Sequence, residues 1–339
     1  MTRLTSLRAF AALSVFCFHV GKDNLWSGGA ASKAYVGVAF FFVLSGFVLV
    51  WAAPAADTAL RFYRRRFARI YPAHFVMLAL VLIVPGIAYT PTALAFLASL
   101  TLTQAWFAPE WNIVYSGNGV AWTLSCEAFF YAAFPAAYIV LRRLQGSRRW
   151  IAVAATFASA GVAETVGAFL GFNGLTNVDP LIRFPEFLLG MAAALAVREG
   201  WRPRWTLLQA SIATVVAFGA LTALDAPVPT PNAVLPPIFA ALIAAAATAD
   251  IRESRSWLTA GTVEYLGRIS FCFYLVHEAV IFGVIAHTNV RGPAAALLAL
   301  AVATAGAAAL HHAIEAPAQR RLRGRSTKPP AGAEAVHAA

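Results

Sequence analysis

Ten runs of apolar residues, each close to twenty long, constrain this chain before anything else does. A hydrocarbon core about 30 Å thick is crossed by about 20 residues of helix. Backbone polar groups are satisfied there only within helices or closed barrels. The runs cover 4–21, 34–53, 70–88, 119–141, 150–172, 181–198, 206–224, 232–249, 264–287 and 293–315. Only 12% of the 339 residues are charged, and 60% are apolar; a soluble domain carries about 25% charged residues. The expected fold is therefore all-α, a polytopic transmembrane bundle of ten spans. An eleventh apolar run, 93–107, is short for a span.

Whether 93–107 crosses is decided by the positive-inside rule. If it stays on one side, the ten spans alternate with both termini cytoplasmic. Of the 26 lysines and arginines, only Lys22, Lys33, Arg183 and Arg291 then lie on or near the outer side. If it crosses, the loop RRLQGSRRW at 142–150 is thrown outside. The balance predicts 93–118 as an external surface or re-entrant element. Residues 1–315 read as one transmembrane domain, and 316–339 as a cytoplasmic, disordered tail rich in Arg, Pro, Gly and Ala. The formal charge of +11 is spread over loops as an orientation signal, which argues against nucleic acid as a partner. Cys17, Cys126 and Cys272 sit singly inside apolar runs, so neither a disulfide framework nor a metal site is expected. The first run contains Arg8 and lacks a clear cleavage pattern, so it reads as a retained span.

Charged side chains inside spans are costly and face a cavity or a partner. The candidates singled out in the runs are Arg8, His19, Glu127, Glu164, Arg183, Glu186, Arg268, His277 and Glu278. Arg8 and His19 are eleven residues apart. That is three helical turns to within about 20°, so both point the same way, about 16 Å apart along the axis. Arg8 alone could snorkel to headgroups, and His19 alone could be a packing residue. In RFYRRRFARIYP, 61–72, Arg66 and Arg69 share a helical face beside the membrane. A stop-transfer cluster explains the charge, whereas a paired guanidinium face also suits a phosphate-rich ligand. Glu127 opens the fourth span at a depth expected to match His19, where a carboxylate could orient the imidazole. Ser270, Tyr274 and His277 fall on one face of the ninth span, as a hydrogen-bonded seam or as substrate contacts. Arg183 and Glu186, three apart, either pair with each other or line a cavity.

Taken in order, these motifs resemble the acyltransferase 3 family of integral membrane proteins. The matching pieces are Arg8 and His19 with ten residues between them, GVAFFFVLSGFVL at 37–49, RRFARIYP at 65–72, WTLSCEAFFYAAFP at 122–135, RFPEFLLGM at 183–191 and GRISFCFYLVH at 267–277. Ala39 departs from the acidic or small polar residue of many relatives. The resemblance implies an O-acyltransferase, multi-pass in a bacterial plasma (inner) membrane. It would move an acetyl or other short acyl group from acyl-CoA, acetyl-CoA foremost, with no metal. Its acceptor would be a hydroxyl of a cell-envelope glycan or of a secreted small molecule such as a glycosylated macrolide. By the same resemblance His19 is the general base or acyl carrier, supported by Glu127, and Arg8, Arg66 and Arg69 hold the donor. Ser270, Tyr274, His277, Arg183 and Glu186 would line the substrate cavity. A transporter or flippase of a sugar or lipid-linked substrate is the competing reading. The chain shows no repeat halves or paired broken helices in its support.

Overall fold

The computed structural model describes residues 1–23, 25, 31–53, 58–88, 91–171, 178–227, 229–253 and 256–322. Helices account for nearly all of them. In chain order these are α1 (Thr2–Lys22), α2 (Gly37–Trp51), α3 (Ala59–Ile83), α4 (Ala93–Leu100), α5 (Trp111–Val114), α6 (Trp122–Arg143), α7 (Ser147–Phe169) and α8 (Pro180–Arg198). They continue with α9 (Leu207–Ala223), α10 (Pro229–Ile251), α11 (Gly261–His287), α12 (Gly292–Leu310) and α13 (Ala316–Leu322). A π-helical turn, His311–Glu315, joins α12 to α13. Among the described residues nine helices are long and apolar enough to cross a membrane, and α9 is a shorter apolar helix of 17 residues. Each of the ten apolar runs thus yields a helix, while 93–107 divides into the eight-residue α4 and a 3-10 turn, Gln104–Phe107.

Local chemistry sets the helix starts. Thr58 and Thr92 cap α3 and α4, each side chain accepting a backbone N–H three residues on. Asp179 caps α8 with Pro180 in its first turn, and Thr206 forms a capping box with Gln209 at α9. Because of the Thr58 cap, α3 begins eleven residues before the expected span and carries the whole arginine cluster on helix. It also runs through Pro72. The first seven residues of the expected disordered tail, Ala316–Leu322, are helical; the rest of that tail lies outside the described residues.

Two close helix crossings organise the core. Where α2 meets α8, a Cβ on Gly46 would collide with the Phe187 carbonyl oxygen, and one on Gly190 with that of Val43. Small residues let the backbones approach this closely in a membrane, where lipid supplies no hydrophobic drive for helices to associate. Where α1 meets α11, Gly267 does the same for the Thr5 carbonyl, and Ser6 Oγ donates to Leu258 O at 2.6 Å. Farther along the same pair, Phe16 packs on Phe273 and His19 on His277. Residue numbers rise together on both, so α1 and α11 run side by side in one direction.

Ion pairs on two buried arginines tie helix ends at the face expected to be cytoplasmic. Arg3 Nη1 meets Asp250 Oδ1 at 2.7 Å, joining the start of α1 to the end of α10. Arg149 grips Glu199 with two bonds of 2.6 and 2.9 Å, joining the start of α7 to the end of α8. Such pairs compensate the cost of desolvating the buried guanidinium groups. On the outer surface, Phe169, Val162 and Val166 of α7 are exposed, as a lipid-facing helix requires.

The α2–α8 crossing predicts that Gly190→Leu destabilises the bundle by about 1–3 kcal/mol through overpacking. The apparent Tm of detergent-purified protein should fall. Gly219→Ala, where an added Cβ meets nothing within 4 Å, should melt like wild type, and equal melting of both variants contradicts the packing account.

Candidate functional site

The pairing of α1 with α11 places three ionisable side chains together. His19 and His277 are buried and Glu278 is 5% exposed. The rings of His19 and His277 meet edge to face, centroids 4.9 Å apart. His277 Nδ1 lies 2.7 Å from the Tyr274 carbonyl oxygen, and His19 Nδ1 lies 3.0 Å from that of Val15. A carbonyl only accepts, so both Nδ1 atoms carry hydrogen. His277 Nε2 is then a lone pair, and it receives the same His19 Nδ1–H at 3.2 Å. The remaining nitrogen, His19 Nε2, points at Glu278 Oε1, 3.4 Å away. That separation is within ion-pair range and longer than a strong hydrogen bond.

This pair lies in the wall of a cavity of about 870 Å³, within the range of small-molecule sites. Phe18, Tyr35, Trp111, Tyr115 and Trp122 supply aromatic faces, and Lys22, Lys33, Arg183, Asn112 and Ser116 supply polar atoms. Tyr115, just past the short α5 and outside the spans, is pushed up to about 12 by burial and by the Glu278 charge, so it faces the cavity as a protonated phenol. The segment before α6 holds Glu278 in place. Asn118 Nδ2 donates to Leu275 O at 2.9 Å. A Cβ on Gly119 would lie 2.5 Å from Glu278 Oε2, an oxygen with no hydrogen-bond partner. Glycine at 119 is what allows the carboxyl to sit there.

A second cluster begins on the far side of Tyr274. A pocket of about 50 Å³ is lined by Arg8, Glu127, Thr123, Phe41, Phe42 and Phe271. It shares Val38 and Tyr274 with the large cavity. Tyr274 OH contacts Val120 O and Thr123 Oγ1, both at 3.2 Å, and stands between the two compartments. Tyr131 OH donates to Glu127 Oε2 at 3.1 Å. Arg8, Arg66 and Arg69 all lie within electrostatic range of Glu127. Arg66 sits over the Phe62 and Tyr131 rings, and Arg69 over Phe271. Arg8 Nε is buried without a hydrogen-bond partner.

The carboxylate beside His19 is therefore Glu278, and Glu127 stands with the arginines. The reason is depth. Trp122, at the start of α6, lines the large cavity; five residues later the helix has descended about 7 Å to the level of Arg8. His277 joins His19, Tyr274 bridges the two compartments, and Arg183 lines the large cavity. Arg183 is also paired with Glu186 at 3.1 Å, both 3% exposed. Ser270 Oγ donates to Gly267 O at 2.8 Å within its own helix and lines neither compartment. In the sequence Glu278 is visible only as a charge next to His277 in an apolar run.

Residues 1–312 match the family described as an acyltransferase domain, Acyl_transf_3. The acyltransferase MdmB of Streptomyces mycarofaciens is 33% identical over 94% of this chain and 92% of its own length. Nodulation protein 10 of Rhizobium leguminosarum bv. viciae is 28% identical over 56% of this chain and 58% of its own. The peptidoglycan O-acetyltransferase OatA of Listeria monocytogenes is 28% identical over 40% of this chain and 24% of its own. No solved structure matches.

The Gly119 contact predicts that Gly119→Ala, which removes no polar group, displaces Glu278 and lowers turnover in an acyl-transfer assay by at least about tenfold, the scale of a misplaced catalytic group. Full activity of this variant contradicts the placement of Glu278.

Proposed function

The chain belongs to the acyltransferase 3 family and is an acyltransferase, and from that premise we propose that it moves an acetyl or other short acyl group from acyl-CoA to a hydroxyl across the bundle. Family membership sets aside the transporter reading. The observation that carries the proposal is the placement of His19. His19 lines a large cavity on one side of Tyr274, with a cluster of three arginines on the other.

In this reading Arg66 and Arg69 take the phosphates of coenzyme A at the cytoplasmic face, where guanidinium forks suit phosphate oxygens. Arg8 lies deeper along the same path. Glu127 offsets part of the cluster's positive charge and keeps the guanidinium groups in place. The thin pantetheine arm passes Tyr274 and brings the thioester to His19. The acceptor enters the large cavity from the outer side. The aromatic faces of Trp111, Tyr115 and Trp122 suit the apolar faces of a sugar ring. A hydroxyl of an envelope glycan or of a glycosylated small molecule fits this lining. Some relatives carry the name peptidoglycan O-acetyltransferase, which supports a carbohydrate hydroxyl.

The reaction then needs one base. His19 Nε2 takes the hydroxyl proton as the oxygen attacks the thioester carbonyl. The C–S bond breaks, and the departing thiolate recovers the proton from the imidazolium. Glu278 stabilises the imidazolium while it exists, and the Nδ1–H bonds to Val15 and His277 hold the ring. An apolar cavity shields the thioester from water. The protein would be multi-pass in a bacterial plasma membrane, with residues 1–315 as its catalytic domain.

His19→Ala should abolish transfer from radiolabelled acetyl-CoA, and Glu278→Gln should reduce kcat by about 10² to 10⁴, the worth of a positioned acid–base group. Transfer by His19→Ala at the wild-type rate contradicts the proposal. For the orientation, a reporter fused after Arg143 should read cytoplasmic; an external signal reverses the assignment of donor and acceptor faces.

A further inference from the structure

The regular helix α12 ends at Leu310 and continues as the π turn His311–Glu315 before α13. In a π turn the bonding runs i to i+5, which widens the turn and rotates the face presented by later residues; such turns often mark functional sites. Here the turn presents Glu315, a carboxylate with no exposed surface. Four groups converge on it. Arg69 Nη1 reaches Oε1 at 3.1 Å and Gln319 Nε2 reaches the same oxygen at 2.8 Å. His311 Nδ1 reaches Oε2 at 2.6 Å and Cys272 Sγ reaches it at 3.2 Å.

A carboxylate offers about four lone-pair sites; three hydrogen bonds reach this one, and the Arg69 guanidinium lies in ion-pair contact with it. The ligand atoms of Cys272, His311 and Glu315 lie within 4.8 Å of one another, a grouping that could also suit a metal ion. Three hydrogen-bonding groups already face the carboxylate, however, and the cation in this cage is the Arg69 guanidinium. Arg8 and Arg69 repel each other at this depth, and Glu315 attracts both. Arg69 spends one nitrogen on Glu315, lies over the Phe271 ring, and keeps a quarter of its side chain exposed. That leaves the rest of the fork open.

We propose that Glu315 is a positioning residue of the donor site. Held by the π turn, it fixes Arg69 in the orientation that receives a phosphate of acyl-CoA, and it offsets the repulsion between Arg69 and Arg8. This rests on the donor site proposed above. Glu315 touches neither reactant; it acts through Arg69.

The test is steady-state kinetics of purified wild type, Arg69→Ala, Glu315→Gln and the double variant, with acetyl-CoA and an active acceptor, alongside the Tm of each. Glu315→Gln should raise the KM for acetyl-CoA about tenfold, the worth of one charge-assisted hydrogen bond. Its kcat and the acceptor KM should stay within about twofold, since the carboxylate meets no reacting atom. In the Arg69→Ala background the same change should add almost nothing, because its effect runs through Arg69. Glu315→Asp, which keeps the charge but withdraws it from Arg69, should shift the donor KM in the same direction, so the test does not hang on the Gln variant folding. An unchanged donor KM in both Glu315 variants overturns the proposal. So does an equal rise with and without Arg69, which would mark a purely structural role. If Arg69→Ala itself leaves the donor KM unchanged, the donor site is misplaced and the Glu315 role falls with it.

Discussion

A charged or hydrogen-bonding side chain in hydrocarbon must find a partner inside the protein, and the docking of α1 against α11 is where this requirement is met for the proposed reaction centre. Gly267 lets the two backbones approach at one end. At the other, His19 meets His277 and Glu278. None of the three could be buried alone at tolerable cost. Together they partner one another, with His19 and Glu278 in the wall of a cavity. The fold around them keeps that helix pair in register. Arg3 on Asp250 pins the start of α1, and Asn118 ties the segment before α6 to α11.

The same logic separates two compartments with different chemistry. The large cavity is aromatic, with a histidine–carboxyl pair in its wall. The smaller pocket leads to a cluster in which Arg8, Arg66 and Arg69 outnumber Glu127 and Glu315. An excess of guanidinium over carboxylate suits a multiply charged anion, and aromatic walls suit a sugar or a macrocycle. Tyr274 stands between them, its hydroxyl held by Val120 and Thr123. An acyltransferase that takes its donor from one face and its acceptor from the other needs such a division, with the thioester at the boundary.

Much of the fold is legible in the sequence because hydropathy and helix length report the same quantity. Most ends of the ten apolar runs fall near a helix end. Where they differ, as at Ala59, an arginine-rich helical turn has no apolar signal and is set by the Thr58 cap instead. The common face of Arg8 and His19 is also legible, since it depends only on helical period. Contacts between helices are not. Glu278 lies on the ninth apolar run and His19 on the first, and nothing along one helix says which neighbour it meets. Glu127 is expected beside His19 because counting from the span's start does not say how far α6 has descended. Glu315 shows in the sequence only as a charge at the very end of the tenth apolar run, because the π turn that aims it inward has no residue pattern.

The central claim is that a thioester delivered past the arginines meets His19 at the boundary of the two compartments. Cryo-electron microscopy of the protein with a non-transferable thioether analogue of acetyl-CoA tests it directly. The account predicts phosphate density against Arg66 and Arg69 and the acyl carbonyl beside His19 Nε2. Density for the analogue in the aromatic cavity with its phosphates toward Lys22 and Lys33, or on a path that never approaches His19, would contradict it.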